Sequence, residues 1–366
     1  SGCMKKMKAL KTAAKITANA CCVLFGVVMT ASVIANANST MVSTFLGAKT
    51  QEIITKGDGE QGDVLYHKTD FDSIADLKAN GERLCEEIVA EGAVLMKNNG
   101  ALPLSANAQI SLFGSGSTNF VFAGGGSSYS PMAKNIDLKT GIERSGITVN
   151  KDLWNWYKAN PQYSGMHTSS TSANGANYYV KDASWDEIKT SAKTNKAEAA
   201  VFVISRYGTE ATDTPLNGDT SDMTNGNYLA LSPKEREVLK SLKAQKAAGV
   251  FDKIVVLMNS AVQLQCDFLE DSELEVDALL WVGQTGSAGT YAIGDLLSGK
   301  VSPSGKLTDT VWKQHLYNPV YANWGDYEYA SADGAPNKST KYMVYQEGIY
   351  NGYRYTETRY EDVVLN

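Results

Sequence analysis

The sequence has few of the residues that bind metals or form disulfides. Only three histidines, His67, His167 and His315, occur in 366 residues, and they are far apart. The five cysteines form no C-x-x-C motif, and three of them lie in or before an apolar run near the N-terminus, which leaves Cys85 and Cys266 for the folded part. This pattern excludes a disulfide framework and argues against a zinc site. We expect neither a metal nor an organic cofactor.

The chain also lacks an excess of positive charge. Its net charge is -6 and its pI is about 5.3, so it has no basic footprint of the kind that nucleic acid requires. With 43% hydrophobic and 20% charged residues, the composition is that of a globular protein longer than one simple domain. The 19 tyrosines and 6 tryptophans fit ordinary packing or the stacking of sugars, and packing is the default interpretation.

Two motifs that would indicate other chemistries are incomplete. Gly114-x-Gly116 follows an apolar run, but Asn119 stands where a dinucleotide-binding fingerprint has its third glycine, and no P-loop occurs. A plain tight turn is the favoured interpretation. Residues 285–289, TGSAG, lack the first glycine of a nucleophile elbow, and nothing in the sequence places His315 near the serine. A helix start packed closely on a strand explains these glycines.

The one long hydrophobic run lies at the N-terminus. Five lysines between Lys5 and Lys15 precede an apolar stretch from Ile16 to Ala37. The A-x-A sequence at residues 35–37 favours a signal peptide, whereas the length of the stretch suits a membrane span. Both alternatives place the basic flank inside and the remainder outside, so we expect an exported protein, secreted or anchored in the membrane. Residues 38–69 are polar and irregular and are predicted to form a tether.

Beyond the tether, helical and strand patterns alternate. The strand patterns are short, continuous apolar runs, which are typical of a mostly parallel sheet with helices on both faces. We therefore predict an α/β fold in which such a sheet is sandwiched by helices, preceded by an N-terminal apolar helix. Strands are predicted at 93–96, 110–113, 147–149, 201–205, 253–258 and 278–282. Helices are predicted at 71–91, 139–145, 153–159, 182–197, 233–248 and 286–298.

A polar loop follows the strand at 201–205 and ends at a helix that begins after Ser232. The loop carries Glu210 together with Arg206, Asp213 and further aspartates. A carboxylate just beyond the carboxyl end of an α/β strand lies where such sheets usually bind ligands. The glycine loop at 124–128 could approach a ligand with its backbone N–H groups. We select Glu210 as the candidate catalytic residue, and Arg206, Gly125, Gly126 and Ser127 as candidate substrate-binding residues.

Several blocks resemble glycoside hydrolase family 3, whose members are mostly β-glucosidases and their relatives. Residues 91–104, EGAVLMKNNGALPL, resemble the start of the family's second domain, and residues 295–310, DLLSGKVSPSGKLTDT, resemble its DLL-G-x-x-NPSGKL run. Residues 347–355, EGIYNGYRY, resemble its EGIYVGYRYY segment. Residues 281–289 match less closely, because Thr285 and Ser287 replace a glutamate and a glycine. The resemblance covers residues 70 to 360 and implies an (α/β)6-type sandwich at 70–340, with 341–366 leading to a further module.

The resemblance also implies a site and a function. In the family, the catalytic acid/base often lies in a loop like SRxxGEGxDR, and residues 205–213, SRYGTEATD, place Glu210 at that position; Ala211 and Thr214 depart from the pattern. The family's nucleophile lies on a TIM barrel, and this chain has neither its S-D-W-like motif nor room for a barrel. We therefore expect part of a retaining β-glucosidase-like enzyme of permuted domain order, acting on a glucoside or oligosaccharide and inactive without its barrel.

Two alternatives remain at this point. One is a non-catalytic carbohydrate-binding or scaffold domain on the cell surface. The other, an esterase that uses Ser287, depends on a motif that the sequence does not complete.

Overall fold

The computed structural model of the chain forms two compact units, residues 1–70 and 71–366. The structure describes residues 2–46, 70–125, 134–163, 180–192, 196–208, 214, 227–323, 327–330, 333–334 and 336–361.

The described part of the first unit is helical up to Leu46. Helix α1 spans Gly2–Ala37 and helix α2 spans Ser39–Leu46. The stretch Met4–Ala37 is long and apolar enough to cross a membrane: it contains an 18-residue window with a mean hydropathy of 2.0, none of which is buried. A signal sequence has the same properties, so both alternatives from the sequence persist. The start of the predicted tether is helical, and its residues 47–69 lie outside the described residues.

The second unit is built on a six-stranded sheet with the order β1-β6-β5-β4-β2-β3. All neighbouring strands are parallel except β1, which pairs antiparallel with β6. The strands are β1 Val94–Asn98, β2 Gln109–Phe113, β3 Thr148–Val149, β4 Ala197–Arg206, β5 Phe251–Ser260 and β6 Ala278–Trp281. The prediction of a mostly parallel sheet is confirmed.

Helices cover both faces of this sheet. They are α3 Ile74–Gly92, α4 Leu138–Glu143, α5 Lys151–Ala159, α6 Trp185–Ala192, α7 Pro233–Ala247 and α8 Thr290–Ser298. Side chains of α3, α4 and α8 join the core on one face, and those of α5, α6 and α7 join the core on the other. Within β4, Val201 and Val203 belong to the first core and Phe202 and Ile204 to the second. Because both faces are buried, the strands are continuous apolar runs.

The ends of several helices follow from local side-chain chemistry. Ser73 caps α3 by accepting a hydrogen bond from the Asp76 N–H, so this helix begins three residues later than predicted. Helix α7 begins with the predicted capping box, in which Ser232 and Glu235 each accept a backbone N–H of the other. Helix α8 ends at Gly299, whose φ of +76° is the left-handed conformation that glycine adopts readily.

Two predicted helices are shorter in the structure. The helix predicted at 182–197 spans only Trp185–Ala192, because β4 already begins at Ala197. The helix predicted from 286 begins at Thr290. A Cβ on Gly289 would lie 2.3 Å from the Thr285 carbonyl oxygen and 2.6 Å from Val89 of α3. The glycines of the TGSAG segment therefore fit against helix α3, and the predicted packing on a strand is wrong.

The remaining described part follows α8 and is less regular. It contains helix α9 Pro319–Asn323, a separate two-stranded antiparallel sheet of β7 Tyr327–Ala330 and β8 Pro336–Tyr342, and helix α10 Tyr353–Thr358. Tyr327 and Tyr342 lie opposite each other in this small sheet, with ring centroids 5.6 Å apart.

Ion pairs join the segments at the amino ends of the parallel strands. Lys253 at the start of β5 lies 2.8 Å from Glu198 at the start of β4. Lys246 at the end of α7 lies 2.7 Å from Asp277, the residue before β6. These four side chains are partly exposed, between 16% and 24%.

Candidate functional site

The candidate site lies at the carboxyl edge of the sheet, where β2, β4, β5 and β6 end side by side. The loop after β2 packs directly on β4. Gly114 has a φ of +86°, and a Cβ there would lie 2.5 Å from the Val203 carbonyl oxygen. A Cβ on Gly116 would lie 2.5 Å from Ser205 Oγ. The G-x-G motif is therefore explained by a tight turn against a strand, and its glycines are required by close approach.

This loop reaches the segment that carries the predicted catalytic residue. The backbone N–H of Gly125 donates to the carbonyl oxygen of Gly208 at 3.1 Å. Gly208 is two residues before Glu210 in the sequence. The structure thus joins the described parts of the two predicted site segments. Glu210, Gly126 and Ser127 themselves lie outside the described residues, so their predicted roles stay predictions.

A buried asparagine connects three of the loops. Asn259, near the end of β5, is fully buried. Its Oδ1 accepts from the Val121 N–H at 2.6 Å and from Ser205 Oγ at 2.9 Å. Its Nδ2 donates to the Val121 carbonyl at 2.9 Å and to the Gly283 carbonyl at 2.7 Å. One side chain, with its hydrogen-bonding capacity fully used, therefore fixes the loop after β2, the end of β4 and the turn after β6.

Arg206, the last residue of β4, is fully buried and closes the base of the Glu210 loop. All five N–H groups of its guanidinium have acceptors within the chain. Two go to the Glu235 carboxylate at 2.8 and 2.7 Å, and the others go to the carbonyl oxygens of Tyr228, Ala230 and Ser205. No N–H of this side chain is left for a substrate. The direct substrate contact predicted for Arg206 is thus replaced by a role in holding both ends of the loop.

The ion pair keeps Arg206 charged in spite of its burial. Burial lowers the pKa of the guanidinium, but the charge and hydrogen bonds of Glu235 outweigh this effect and the pKa is raised. Glu235 also accepts from the Ser232 N–H at 2.7 Å. The same carboxylate therefore completes the cap of α7 and neutralises the charge of Arg206 at the end of β4.

A second buried carboxylate holds the start of the loop after β2. Asp182 is 5% exposed and accepts the Ser115 N–H at 2.9 Å, while the Tyr157 hydroxyl accepts the Gly114 N–H at 3.1 Å. Burial, followed by the charge of Glu235, raises the pKa of Asp182 from 3.8 to about 7. Burial, followed by the charge of Asp182, raises the pKa of Tyr157 well above its usual value.

The raised pKa of Asp182 predicts a pH-dependent stability. An unfolded aspartate titrates near 3.9, so between about pH 4 and 7 the folded chain binds more protons than the unfolded chain. Its free energy of unfolding should therefore fall by about 2–3 kcal/mol between pH 5 and pH 8 from this group alone. Asp182→Asn stays neutral and should lose this contribution, so its stability curve should be flatter than that of the native chain by that amount.

Urea unfolding midpoints of the purified chain at pH 5 and pH 8 measure this difference. Asp186→Asn is the control, because Asp186 is exposed, its pKa is lowered by Lys189, and it stays ionised across this range. Parallel pH curves for the native chain and Asp182→Asn would show that Asp182 does not titrate in this range.

The segments that carry Ser287 and His315 are joined to other parts of the chain. The backbone carbonyl of Ser287 accepts from the Ile136 N–H, and His315 Nε2 lies 2.7 Å from the Gln263 carbonyl oxygen. Among the described residues no cluster of histidine, cysteine and acidic side chains could hold a metal ion.

Sequence patterns did not identify Asn259, Asp182 or the second role of Glu235. Polar residues are common at strand ends and in loops, and their importance here comes from partners that are distant in the chain. A polar residue at the end of an otherwise apolar strand, such as the asparagine of VVLMN, is the one signal that could have indicated Asn259.

Fold and site together define an α/β sandwich domain with polar loops packed together at the edge where its parallel strands end, the edge at which such sheets usually bind ligands. Residues 93–353 match the Glycosyl hydrolase family 3 C-terminal domain, and the chain belongs to this family. It is 28% identical over 281 residues to a β-glucosidase of Ruminococcus albus, with 76% of this chain and 26% of that protein covered. It is 27% identical over 308 residues to β-glucosidase A of Butyrivibrio fibrisolvens, with 77% and 34% covered.

The fold has matching solved structures. The structure of β-glucosidase 3B from Thermotoga neapolitana in complex with glucose superposes with a TM-score of 0.60 at 28% identity, covering 77% of this chain and 36% of that one. The family resemblance inferred from the sequence is therefore confirmed. The chain spans 26% and 34% of the two curated relatives, so it corresponds to one part of such proteins.

Proposed function

We propose that this chain is the sandwich part of an exported glycoside hydrolase that acts on β-linked glucosides or related oligosaccharides. Its membership in family 3 and its similarity to β-glucosidases support this proposal. The observation that carries the site assignment is the hydrogen bond between Gly125 and Gly208, because it brings the glycine loop to the segment that leads into Glu210.

In this proposal Glu210 is the general acid/base of a retaining mechanism. It protonates the glycosidic oxygen as the bond to the leaving group breaks, and a nucleophilic carboxylate takes the sugar at its anomeric carbon. Glu210 then removes a proton from water, which releases the sugar. The two carboxylates must lie about 5–5.5 Å apart, and we assign the nucleophile to a TIM-barrel domain of the same enzyme.

The described residues supply a fixed support for this chemistry. The Arg206–Glu235 pair joins the two described ends of the catalytic loop, and Asp182 and Tyr157 hold the start of the loop after β2. A carboxyl group that donates a proton near neutral pH must be kept protonated, and burial beside a second carboxylate has that effect. The barrel would provide both the burial and the second carboxylate, with Gly125, Gly126 and Ser127 near the sugar.

The proposal predicts that the chain is inactive alone. The purified chain should hydrolyse no aryl β-glucoside above the buffer rate, because without the nucleophile no glycosyl–enzyme bond can form. Release of p-nitrophenol from the p-nitrophenyl glucoside measures this, and an enzyme that contains both domains is the positive control. Turnover by the isolated chain would contradict the two-domain site.

A second measurement separates this proposal from a free-standing carbohydrate-binding domain. An immunoblot of source-cell extract against this segment should show a polypeptide much larger than 39.5 kDa if the segment belongs to a complete hydrolase. A native band at 39.5 kDa would favour the non-catalytic alternative, unless a separate barrel chain binds to it.

A further inference from the structure

We propose that Asn259 is the positioning residue that sets the placement of the catalytic acid/base loop, so that its loss selectively weakens proton donation to the leaving group. This inference rests on the proposed role of Glu210. It concerns a residue outside that loop, on the neighbouring strand β5.

Every donor and acceptor of the Asn259 carboxamide has a partner. Its side chain makes four hydrogen bonds of 2.6 to 2.9 Å, and it is fully buried. Both the N–H and the C=O of Val121 bind to it, as an amide pair in a sheet would. An apolar side chain of similar size would leave these buried groups unpaired, which carries a cost in stability.

Two routes lead from this carboxamide to the catalytic loop. Directly, Ser205 Oγ donates to Asn259 Oδ1, and Ser205 is five residues before Glu210. Indirectly, Val121 fixes the loop after β2, whose Gly125 N–H then binds the Gly208 carbonyl at 3.1 Å. The catalytic loop is therefore held at two points by groups whose positions depend on Asn259.

The Arg206–Glu235 pair does not duplicate this control. Its hydrogen bonds tie the end of β4 to the returning segment at Tyr228 and Ala230, so they close the loop on itself. Asn259 instead connects the end of β4 to β5, to Val121 in the loop after β2 and to the turn at Gly283. The ion pair thus joins the two described ends of the loop to each other, whereas the asparagine fixes the end of β4 against β5 and against the loop after β2.

Misplacement of a proton donor has a specific kinetic signature. A methyl glucoside has a poor leaving group that must be protonated, whereas 2,4-dinitrophenolate leaves without a proton. Because kcat/KM reports the steps up to the first irreversible one, it isolates bond cleavage from later hydrolysis. A shift of about 1 Å in a catalytic group can cost on the order of 100-fold in rate.

The test uses the full-length enzyme that contains this segment. Asn259→Ala should lower kcat/KM for methyl β-glucoside on the order of 100-fold. It should lower kcat/KM for the dinitrophenyl substrate much less, by the amount that displacement of the loop carrying Gly125 weakens contact with the sugar. Ser205→Ala removes one of the four hydrogen bonds and leaves the fold intact, and it should show the same selectivity at about fivefold.

Asn150 offers a matched control. Its side chain also makes four hydrogen bonds, to Ser111, to Ser191 and from the N–H groups of Asp152 and Leu153. It caps helix α5 beside the strand β3 at the outer edge of the sheet. Asn150→Ala should lower stability but leave the ratio of the two kcat/KM values unchanged.

The outcomes separate this inference from the proposed function. Selective loss in Asn259→Ala and Ser205→Ala, without it in Asn150→Ala, supports the inference. Equal loss on both substrates, or no loss, in Ser205→Ala overturns it, and this variant decides the matter if Asn259→Ala does not fold. If Glu210→Gln itself shows no selectivity for the leaving group, the proposed role of Glu210 is wrong, and the inference about Asn259, which rests on it, is wrong as well.

Discussion

Glu210→Gln in the full-length enzyme should lower kcat/KM for methyl β-glucoside by roughly 100- to 10,000-fold, the range typical of general acid catalysis. The value for 2,4-dinitrophenyl β-glucoside should change only a few-fold, because its leaving group departs without a proton. Glutamine has nearly the shape of glutamate but no proton to donate, so the effect isolates the acid function. For the dinitrophenyl substrate kcat and KM should fall together. Without Glu210 no base deprotonates the attacking water, so hydrolysis of the glycosyl–enzyme becomes slow and this intermediate accumulates.

Steady-state kinetics with both substrates, with and without azide, measure these effects. Azide needs no base, so it should raise kcat of the variant and yield a glycosyl azide. Asp222→Asn is the control, since Asp222 is another carboxylate of the same loop and should leave the ratio of the two kcat/KM values unchanged. Equal losses on both substrates for Glu210→Gln would assign the acid/base to another residue.

Arg206→Met should destabilise the chain by about 3–5 kcal/mol, because it leaves the Glu235 carboxylate buried without its counter-ion. The side chains of Arg206 and Glu235 are 0% and 3% exposed, so water cannot replace the lost partner. The carbonyl oxygens of Tyr228 and Ala230 would lose their donors as well. Urea denaturation of the purified chain measures the change.

Arg83 and Glu87 of helix α3 provide the control. Their N–O distance is also 2.7 Å, but their side chains are 60% and 51% exposed. Arg83→Met should therefore cost only about 0.5 kcal/mol. The double variant Arg206→Met/Glu235→Leu should be less destabilised than the sum of its single variants, because no buried charge is then left alone. If Arg206→Met and Arg83→Met cost the same, the buried pair is not the anchor described above.

Much of the fold could be predicted because it depends on local patterns. Continuous apolar runs at β2, β4 and β5 indicated strands buried on both faces, and Ser232 with Glu235 marked the start of α7. Helix α3 shows the limit of such patterns. The helix predicted from its spacing of apolar residues is present. Yet Ile74 is 71% and Ile88 is 68% exposed in this chain, while Val89 is buried. Periodicity indicates a helix without showing what its apolar residues contact.

The site was predictable only in outline. The strand pattern indicated that a polar loop follows β4, and the role assigned to Glu210 came from family resemblance and stays a prediction. The hydrogen bonds and the ion pair that support the site could not be predicted in this way, because they join residues that are far apart in sequence. Asn259 binds Val121, 138 residues away, and Arg206 binds Glu235, 29 residues away. The sequence pattern suggests that Arg206 binds substrate. Its guanidinium instead binds the Glu235 carboxylate, which is buried beside the end of β4.

The two edges of the sheet should respond differently to ionic strength. The amino edge is joined by the partly exposed pairs Lys246–Asp277 and Lys253–Glu198, which dissolved ions screen. At the carboxyl edge, the neutral carboxamide of Asn259 and the fully desolvated Arg206–Glu235 pair are reached far less by such screening. Salt should therefore loosen the amino edge of the sheet first, while the loop after β2, the end of β4 and the turn after β6 keep their mutual geometry in brine as in dilute buffer.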